Sequence, residues 1–418
     1  MKVFAFSLGC KVNAYETRAL TSLFLKKGYK LGDSNHFDVA LINTCAVTHV
    51  ASQKSRQHIR KIRHLNKNAI LVVMGCYANV DAKLIAKDCE ADIILGVSNR
   101  LKVFDYINIF KKTHKKIIDV DNIKSLRKNK KYEELGVNEF NESTRAYIKI
   151  SDGCDNFCSY CTIPLLRGKL RSRDPKTILC EVKALIKKGY QEIVLTGIDT
   201  SSYGKEFKHY HLSDLLEDIL KKNKDLYRLR LSSIEISEID NHFLKLLKSY
   251  PNLANHLHIS LQSGSDSVLK RMNRKYTSKQ FYQKVEAIRK VRKDIALTTD
   301  VIVGFPNESE KEFMDTYNFI KKVKFASLHV FPFSKRKGTS AYLMKDVDAK
   351  IKKERVKKLL KLNEQLKSKY AKQFLNKKLE VLFEDNHTGL TSNYLRIKGN
   401  FKANKIKKIT INKTNLIG

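Results

Sequence analysis

The sequence contains no tryptophan and only five prolines among 418 residues. No apolar run approaches the roughly 20 residues that a transmembrane helix needs, so we expect no membrane span. The first ten residues lack the basic region and small-residue cleavage site of a secretory signal, and they predict a first strand instead. Eight cysteines are too few for a disulfide-built fold of this size. They favour metal binding or catalysis in a reducing compartment, the cytoplasm.

Acidic residues are also scarce, with 43 Asp and Glu against 81 Lys and Arg and a net charge of +38. A charge this large attracts polyanions and favours binding to a phosphate backbone. A lysine-rich genome would produce part of the same excess, so charge alone leaves nucleic-acid binding open. The length allows two or three domains.

Residues 1–138 alternate between short apolar runs and helical patterns. The runs at 3–8, 39–44, 70–74 and 93–95 suit buried parallel strands, and helices are expected at 14–27, 50–65 and 82–87. This pattern predicts an open α/β sheet, in which functional groups gather after the carboxyl ends of the strands.

Three cysteines occupy that edge of the predicted sheet. Cys10, Cys45 and Cys76 each follow one of the first three strands, and glycines precede the first and the last. Glycine lets the backbone approach a bulky ligand. Three convergent thiols favour an iron–sulfur cluster with an open iron, although three unrelated structural cysteines would give the same pattern. Cys89 and Cys180 are expected to be free buried thiols.

The polar stretch 119–143 predicts a linker. After it, strand and helix patterns alternate again. Candidate strands are 146–150, 192–196, 229–233, 256–261, 296–303 and 327–331, with helices such as 176–188 and 212–223 between them. Six βα units favour a partial (β/α)6 barrel over a closed eightfold one, with its site at the carboxyl ends of the strands.

Directly after the first of these strands, Cys154, Cys158 and Cys161 form a Cys-x₃-Cys-x₂-Cys pattern. Three thiolates this close can hold three irons of a [4Fe–4S] cluster and leave the fourth without a protein ligand, free to bind a small molecule and pass it an electron. A zinc knuckle or a chance grouping is the alternative, but no fourth Cys or close His follows. The spacing, with the aromatic Tyr160 before the last cysteine, is typical of radical S-adenosylmethionine (SAM) enzymes.

The C-terminal part is basic. Residues 351–374 predict a lysine-rich helix whose charged face is either solvated or docks to phosphates. In residues 375–418 apolar and polar residues alternate, which predicts a small β module; it carries Lys402, Lys405, Lys407 and Lys408. Small β-barrels often bind RNA through basic and aromatic faces.

Over nearly its whole length the chain resembles the radical SAM methylthiotransferases. The segment 154–173 resembles their cluster loop, and Leu-Gly-Cys-Lys-Val-Asn at 8–13, with 152–158, 231–235 and 258–265, resembles the branch acting on N6-threonylcarbamoyladenosine in tRNA. The resemblance implies an α/β protein of three parts: an N-terminal methylthiotransferase domain (1–138), a radical SAM domain (143–374) and a TRAM-like RNA-binding module (375–418).

The resemblance implies a tRNA methylthiotransferase that converts N6-threonylcarbamoyladenosine at position 37 to its 2-methylthio derivative. It also implies SAM and two [4Fe–4S] clusters, with one cluster reducing SAM to a radical and the other, on Cys10, Cys45 and Cys76, holding sulfur. A flavodoxin- or ferredoxin-type electron donor and a sulfur donor would be partners, and a monomer is expected. Isopentenyladenosine in tRNA or a ribosomal-protein aspartate remains an alternative substrate. A basic RNA-binding protein with purely structural or redox-sensing clusters is the non-enzymatic alternative.

SAM itself is expected across the strand ends of the barrel. Thr196 and Gly197 are candidates for its amino group, and Gln262 with the turn at Val303 and Gly304 for its ribose and adenine. Glycine at these positions would equally serve an ordinary turn.

Overall fold

The computed structural model describes residues 1–128, 131–136 and 144–417. The predicted domain boundaries at 138 and 143, and the final residue 418, lie outside the described residues. Within the described ranges, no helix is both long and apolar enough to cross a bilayer.

The N-terminal part is a parallel six-stranded sheet in the order β2-β1-β3-β4-β5-β6. Its strands are β1 (Lys2–Ser7), β2 (Lys30–Leu31), β3 (Val39–Thr44), β4 (Ile70–Gly75), β5 (Ile93–Leu95) and β6 (Ile117–Asp119). The four predicted strands are all present, and the two-residue β2 and the three-residue β6 are additions at the two edges. The central strands β3 and β4 are buried throughout, as near-continuous apolar strands are when helices cover both faces.

Helices pack on both faces of this sheet. They are α1 (Lys11–Lys26), α2 (His49–Leu65), α3 (Cys76–Asp88), α4 (Val103–Thr113) and the short α5 (Ile123–Arg127). Alternate residues of one strand serve opposite faces: Leu41 packs in the cluster with Phe24 of α1, whereas Ile42 packs with Ile59 of α2. Helix α3 begins at Cys76 itself, six residues before the predicted start at 82.

The stretch expected to be a linker is folded where it is described. It contains the end of β6 and all of α5, and Leu126 and Leu135 are buried. The carboxylate of Glu133 forms an ion pair of 2.7 Å with the buried guanidinium of Arg100. The expectation of an unstructured linker was wrong in these residues. A few apolar and acidic residues among many lysines are enough to pack the segment against the N-terminal part.

The central part holds six parallel strand positions. Its strands are β7 (Arg145–Asp152), β8 (Arg171–Ser172), β9 (Glu192–Gly197), β10 (Arg228–Leu231), β11 (Ser233–Ile234), β12 (His256–Ile259), β13 (Ala296–Val303) and β14 (Ser327–Pro332). They pair as β10-β9-β7-β8 and β11-β12-β13-β14, with β8 antiparallel on the edge of β7. The third predicted strand is interrupted at Ser232 into β10 and β11. The result is the expected partial (β/α)6 barrel.

Helices surround the barrel and bury its outer face. They are α6 (Ile163–Leu166), α7 (Pro175–Lys187), α8 (Leu212–Lys222), α9 (Asn241–Ser249), α10 (Asp266–Arg271), α11 (Ser278–Val291), α12 (Glu310–Val323) and α13 (Ala349–Lys372). On β7, Ile148 and Ile150 join the apolar core with Val182 of α7. The alternate residue Lys149 reaches Glu16 of α1, so the inner face of β7 is turned toward the N-terminal part.

The C-terminal module is an antiparallel five-stranded sheet in the order β18-β15-β16-β17-β19. Its strands are β15 (Lys378–Phe383), β16 (Thr388–Thr391), β17 (Arg396–Lys398), β18 (Ile406–Thr410) and β19 (Leu416–Ile417). The module lies against the amino ends of the barrel strands. Arg228 and Arg230 donate to the carbonyls of Leu390 and Thr391, both at 3.2 Å, and the Tyr394 ring stacks on His256 at 4.1 Å.

Candidate metal and substrate site

The first cysteine set lies in the loop that follows β7, at the carboxyl end of the barrel. Gly153 has φ of +72°, and a Cβ there would lie 1.9 Å from the carbonyl oxygen of Lys169, so only glycine fits. Cys154 N donates to the Gly168 carbonyl at 3.1 Å and Cys161 N to the Cys158 carbonyl at 2.9 Å. These bonds fold the loop so that all three thiols line one cavity.

Charged and polar side chains from other strands approach these thiols. Arg274 Nη1 donates to the Sγ of Cys158 at 3.2 Å, and Arg274 also pairs with Glu235. Asp199 Oδ2 accepts from Asn156 Nδ2 at 2.9 Å and lies 3.4 Å from the Sγ of Cys154. Arg274 thus places a fixed cation beside one of the three thiols, which suits a site for an anionic iron–thiolate cluster.

The cavity beside these cysteines has a volume of about 180 Å³. Gln262 lines it, as do the residues just after β9, Ile198 to Ser201. Thr196, Gly197, Val303 and Gly304 are not among its lining residues. A Cβ on Gly197 would lie 2.2 Å from the Ser151 Oγ, so this glycine serves the close approach of β7 and β9.

The second set comes from the N-terminal sheet. Cys10 caps the start of α1, Cys45 follows β3, and Cys76 opens α3 directly after β4. A Cβ on Gly9 would lie 2.7 Å from the Cys45 Cβ, so the loops carrying Cys10 and Cys45 are in contact. Gly75 has φ of +99°, and a Cβ there would lie 2.3 Å from Asn43 Oδ1. The sheet edge therefore gathers the three thiols as the strand order predicts.

Burial governs the protonation of several of these thiols. It raises the pKa of Cys45 to about 11, and the neighbouring Cys76 and Cys10 add to that rise. It raises the pKa of Cys161 to about 12, with Cys158 contributing. Burial and the carboxylate of Asp199 also raise the pKa of Cys154. Such thiols lose their protons when a metal binds, which makes cluster assembly a proton-releasing step.

One buried arginine connects the two cysteine sets. Arg167, in the loop extension after α6, donates from Nε to the Sγ of Cys76 at 3.3 Å. Its Nη1 binds Glu16 Oε1 at 2.8 Å and Asp152 Oδ1 at 3.0 Å, and its Nη2 binds Asn13 Oδ1 at 2.9 Å. The loop of the first set is thereby fixed to α1, which begins just after Cys10, and to Cys76 at the start of α3.

A second cavity, of about 260 Å³, adjoins the first. Tyr160, Cys161 and Gln262 line both this cavity and the one beside the first cysteines. Val47 and Thr48, two and three residues after Cys45, also line it, as does Asp300 of β13. A molecule held here would lie against Cys161 of the first set and against the residues that follow Cys45 of the second.

Sequence reasoning missed the charged residues that organise the site: Glu16, Asp199 and Arg274, together with the role of Arg167. A signal for part of this set exists, because Cys10, Asn13 and Glu16 are spaced by three and so share one face of α1. One expectation was wrong: Cys180 is exposed on α7, whereas Cys89 is buried as expected. Neither cysteine lines either of the two cavities described above.

Comparison with known proteins agrees with this geometry. Residues 148–320 match the Radical SAM superfamily and residues 2–96 match Uncharacterized protein family UPF0004. Threonylcarbamoyladenosine tRNA methylthiotransferase MtaB of Bacillus subtilis is 44% identical over 409 residues, covering 95% of this chain and 90% of that protein. The chain belongs to the radical SAM methylthiotransferase family.

A relative named for a different substrate and a solved structure were also compared with the chain. The tRNA-2-methylthio-N(6)-dimethylallyladenosine synthase of Geobacillus kaustophilus is 33% identical, covering 92% of this chain and 73% of that protein. Among solved structures, the radical SAM methyltransferase TsrM of Kitasatospora setae, with cobalamin and a [4Fe–4S] cluster bound, superposes with a TM-score of 0.60 at 13% identity, covering 82% and 77% of the two chains. That likeness concerns the fold alone.

As a radical SAM methylthiotransferase, the chain is a transferase whose cofactors are SAM and two [4Fe–4S] clusters. The donor chemistry fits them. Each cysteine set offers three thiols, and one thiol of each set receives a hydrogen bond from a buried guanidinium, Arg167 or Arg274. This arrangement suits an anionic iron–thiolate centre.

Proposed function

We propose that this protein adds a methylthio group to C2 of N6-threonylcarbamoyladenosine at tRNA position 37. The observation that carries the proposal is the near full-length 44% identity to a relative named for that substrate, against 33% to the dimethylallyladenosine synthase. The excess of basic residues supports a tRNA substrate.

In this proposal Cys154, Cys158 and Cys161 hold the cluster that binds SAM, and Cys10, Cys45 and Cys76 hold the auxiliary cluster. When bound, these cofactors supply radical chemistry at an aromatic C–H bond that acid–base catalysis cannot cleave, together with the sulfur and methyl groups.

The side chains of the protein position the reactants. Gln262 and Tyr160 line both cavities, so they are placed to contact SAM on one side and the nucleotide on the other. The four other residues expected to contact SAM do not line these cavities, so we propose that they act indirectly, by positioning the loops that follow them. They are Thr196, Gly197, Val303 and Gly304. Asp199 and Glu235 line the SAM cavity and are candidates to bind polar groups of SAM.

The proposal includes the remaining partners. The lysines of the TRAM-like C-terminal module would bind tRNA phosphates, an electron donor of the flavodoxin or ferredoxin type would reduce the clusters, and a sulfur donor would replenish the auxiliary site. A monomer acting in the cytoplasm fits these partners.

The test is an anaerobic assay of the reconstituted full-length protein with SAM and a reductant. We expect the 2-methylthio derivative from tRNA bearing N6-threonylcarbamoyladenosine, detected by mass spectrometry of the nucleosides, and much less from tRNA bearing isopentenyladenosine. Preferential methylthiolation of isopentenyladenosine, or of a ribosomal-protein aspartate, would replace the proposed substrate with one of those. If no 5′-deoxyadenosine formed at all, the protein would be a binder rather than an enzyme.

A further inference from the structure

Outside the two cysteine sets, one group of side chains in the described part of the chain has the composition and spacing of a metal site. It consists of His258 of β12, Asp300 of β13 and His329 of β14. One nitrogen of each histidine and one carboxylate oxygen all lie within 4.8 Å of one another. None of the three residues is a neighbour in sequence of a cysteine, so this group is separate from the two cysteine sets.

The strand register places the three side chains on the inner face of the barrel. Asp300 lies directly opposite His329 across β13 and β14, and His258 lies opposite Thr298 across β12 and β13. Residues two apart in a strand share one face, so Thr298 and Asp300 point the same way. Val301 points the other way, into the apolar core outside the strands. Three neighbouring strands therefore direct the group into the barrel interior.

The distances between the ligand atoms fit a single ion. His258 Nε2 lies 3.2 Å from Asp300 Oδ2, and His329 Nδ1 lies 3.1 Å from Asp300 Oδ1. Two nitrogen or oxygen atoms that bind one zinc ion at about 2.0–2.2 Å are about 2.8–3.6 Å apart at the usual bond angles. Small side-chain rotations are therefore enough for the two imidazoles and the carboxylate to enclose an ion.

A hydrogen bond on the far side of one histidine prepares it for this role. His258 Nδ1 lies 2.9 Å from the hydroxyl oxygen of Thr298. With its proton on Nδ1 and donated to that oxygen, the neutral ring presents a free lone pair at Nε2, beside Asp300. The Thr298 hydroxyl can donate its own hydrogen to His256 Nε2 at 3.0 Å. Metal-binding histidines are usually oriented in this way, by a partner of the second ring nitrogen.

The group is accessible from two cavities. Asp300 lines the cavity of about 260 Å³ described above. His329 has 57% of its side chain exposed and lines another cavity, of about 440 Å³. That cavity lies between the barrel and the C-terminal module, whose Arg396 and Leu416 also line it. An ion can therefore reach the three side chains, and the positions around it that they do not fill are open to water or to another oxygen ligand.

We propose that His258, Asp300 and His329 bind one divalent metal ion of the zinc class inside the barrel. Two imidazole nitrogens with one carboxylate favour such ions over Mg²⁺ and Ca²⁺, which prefer oxygen ligands. Three protein ligands and an open position are typical of zinc sites that bind a further ligand, whereas closed structural sites use four. Two neutral imidazoles and one carboxylate leave a net positive charge on the site, so the further ligand is expected to be an anionic oxygen of a carboxylate or phosphate.

Zinc binding to the reconstituted full-length holoenzyme tests this site. Iron is measured in the same samples, because cysteines that lack their clusters would bind zinc as well. In equilibrium dialysis we expect the wild type to bind about one Zn²⁺ per chain at unchanged iron content, with a raised thermal unfolding midpoint. Excess Mg²⁺ should not displace the zinc.

The variants should weaken zinc binding to graded extents. Thr298→Val removes only the partner that orients His258, so it should weaken binding about 10- to 100-fold. His258→Ala and His329→Ala each remove a ligand and should weaken it further. His36→Ala is the matched control, because His36 forms an exposed pair of 3.3 Å with Asp33 that belongs to no three-residue group in the described ranges. It should bind zinc as the wild type does.

Two results would overturn the assignment. One is a wild-type holoenzyme that takes up no zinc beyond its iron, and this measurement decides the matter even if a variant fails to fold. The other is zinc binding of equal strength in the wild type, His258→Ala and His329→Ala, which would place the ion elsewhere. Displacement of the zinc by Mg²⁺ would also contradict a site with two nitrogen ligands.

Discussion

At the scale of single residues, each cysteine set has one thiol held by a guanidinium. Arg274 serves Cys158 and Arg167 serves Cys76. Arginine stays protonated at any working pH, so these cations remain whether or not the metal is bound. Hydrogen bonds of this kind would hold each sulfur in place as a ligand when a cluster is bound.

The roles of the two sets can be separated by mutation. Cys158→Ala should reduce bound iron from about eight to about four per chain and abolish 5′-deoxyadenosine formation, because the SAM-binding cluster loses a ligand. Cys45→Ala should lose a similar amount of iron and stop methylthiolation while 5′-deoxyadenosine still forms. Iron analysis and product chromatography measure both effects.

The exposed Cys180 supplies the control, and Cys180→Ser should keep both iron and product. Full methylthiolation by Cys45→Ala would argue against the auxiliary cluster, and undiminished 5′-deoxyadenosine from Cys158→Ala against the SAM cluster.

The sequence sufficed to predict how the cysteines are grouped in space, but not the charged residues around them. Cys154, Cys158 and Cys161 are close in sequence, and the other three follow strands of one parallel sheet, so spacing and topology locate them. Arg167 contacts residues 91 to 154 positions away in the chain. No periodicity encodes such pairings, because they depend on how two separately folded parts dock.

At the scale of elements, the C-terminal sheet closes the amino end of the barrel. Arg228 and Arg230 bind its backbone carbonyls, and Tyr394 covers the ring of His256. Deleting the module would therefore expose buried charges of the barrel as well as remove a tRNA-binding surface. Charge removal on its surface is the cleaner test of RNA binding.

Replacing the exposed lysines of the module with glutamine should weaken tRNA binding without unfolding the sheet. The four positions are Lys402, Lys405, Lys407 and Lys408. Because each lysine bound to a phosphate displaces counterions, the slope of log Kd against log salt should become shallower by about 0.7 to 0.9 for each phosphate that is no longer neutralised. Fluorescence anisotropy over a salt series measures this slope.

A control variant carries the same four-charge change on the outer helices α9 and α11 of the barrel. Its positions are Lys245, Lys248, Lys279 and Lys290. An equal loss of affinity in both variants would show a general charge effect and leave the module without a specific role in tRNA binding.

At the scale of the whole molecule, a buried ionic network joins the N-terminal sheet to the barrel. Glu16 of α1 pairs with Arg100 at 2.6 Å, Lys149 at 2.7 Å and Arg167 at 2.8 Å. Burial raises the pKa of Glu16, but the three cations outweigh it and the net pKa lies well below its usual range. The carboxylate is thus ionised whenever the two parts are docked.

This network predicts a defined pH dependence of stability. A depressed folded-state pKa contributes stability above the unfolded value of about 4.3, and this contribution is lost as pH falls below it. Glu16→Gln should lower the thermal unfolding midpoint at pH 7, as expected from about 3–5 kcal/mol for a broken buried pair, and the gap to wild type should narrow below pH ~4.

Glu310→Gln is the comparison, because Glu310 is 65% exposed and its pair with Arg355 should contribute little. If the difference in thermal unfolding midpoint between the wild type and Glu16→Gln stayed constant across the pH range, Glu16 would not be ionised in the folded protein.

The buried ionic network between the N-terminal part and the barrel also restricts which chimeras of related proteins can fold. Glu16 and Arg100 belong to the N-terminal part, whereas Lys149, Asp152 and Arg167 belong to the barrel, and all five are buried. A chimera that took residues 1–128 from a relative with a different charge at any of these positions would trap an unmatched ion at the seam. A chimera of such proteins is therefore expected to fold only when the charged residues on both sides of this interface come from the same parent.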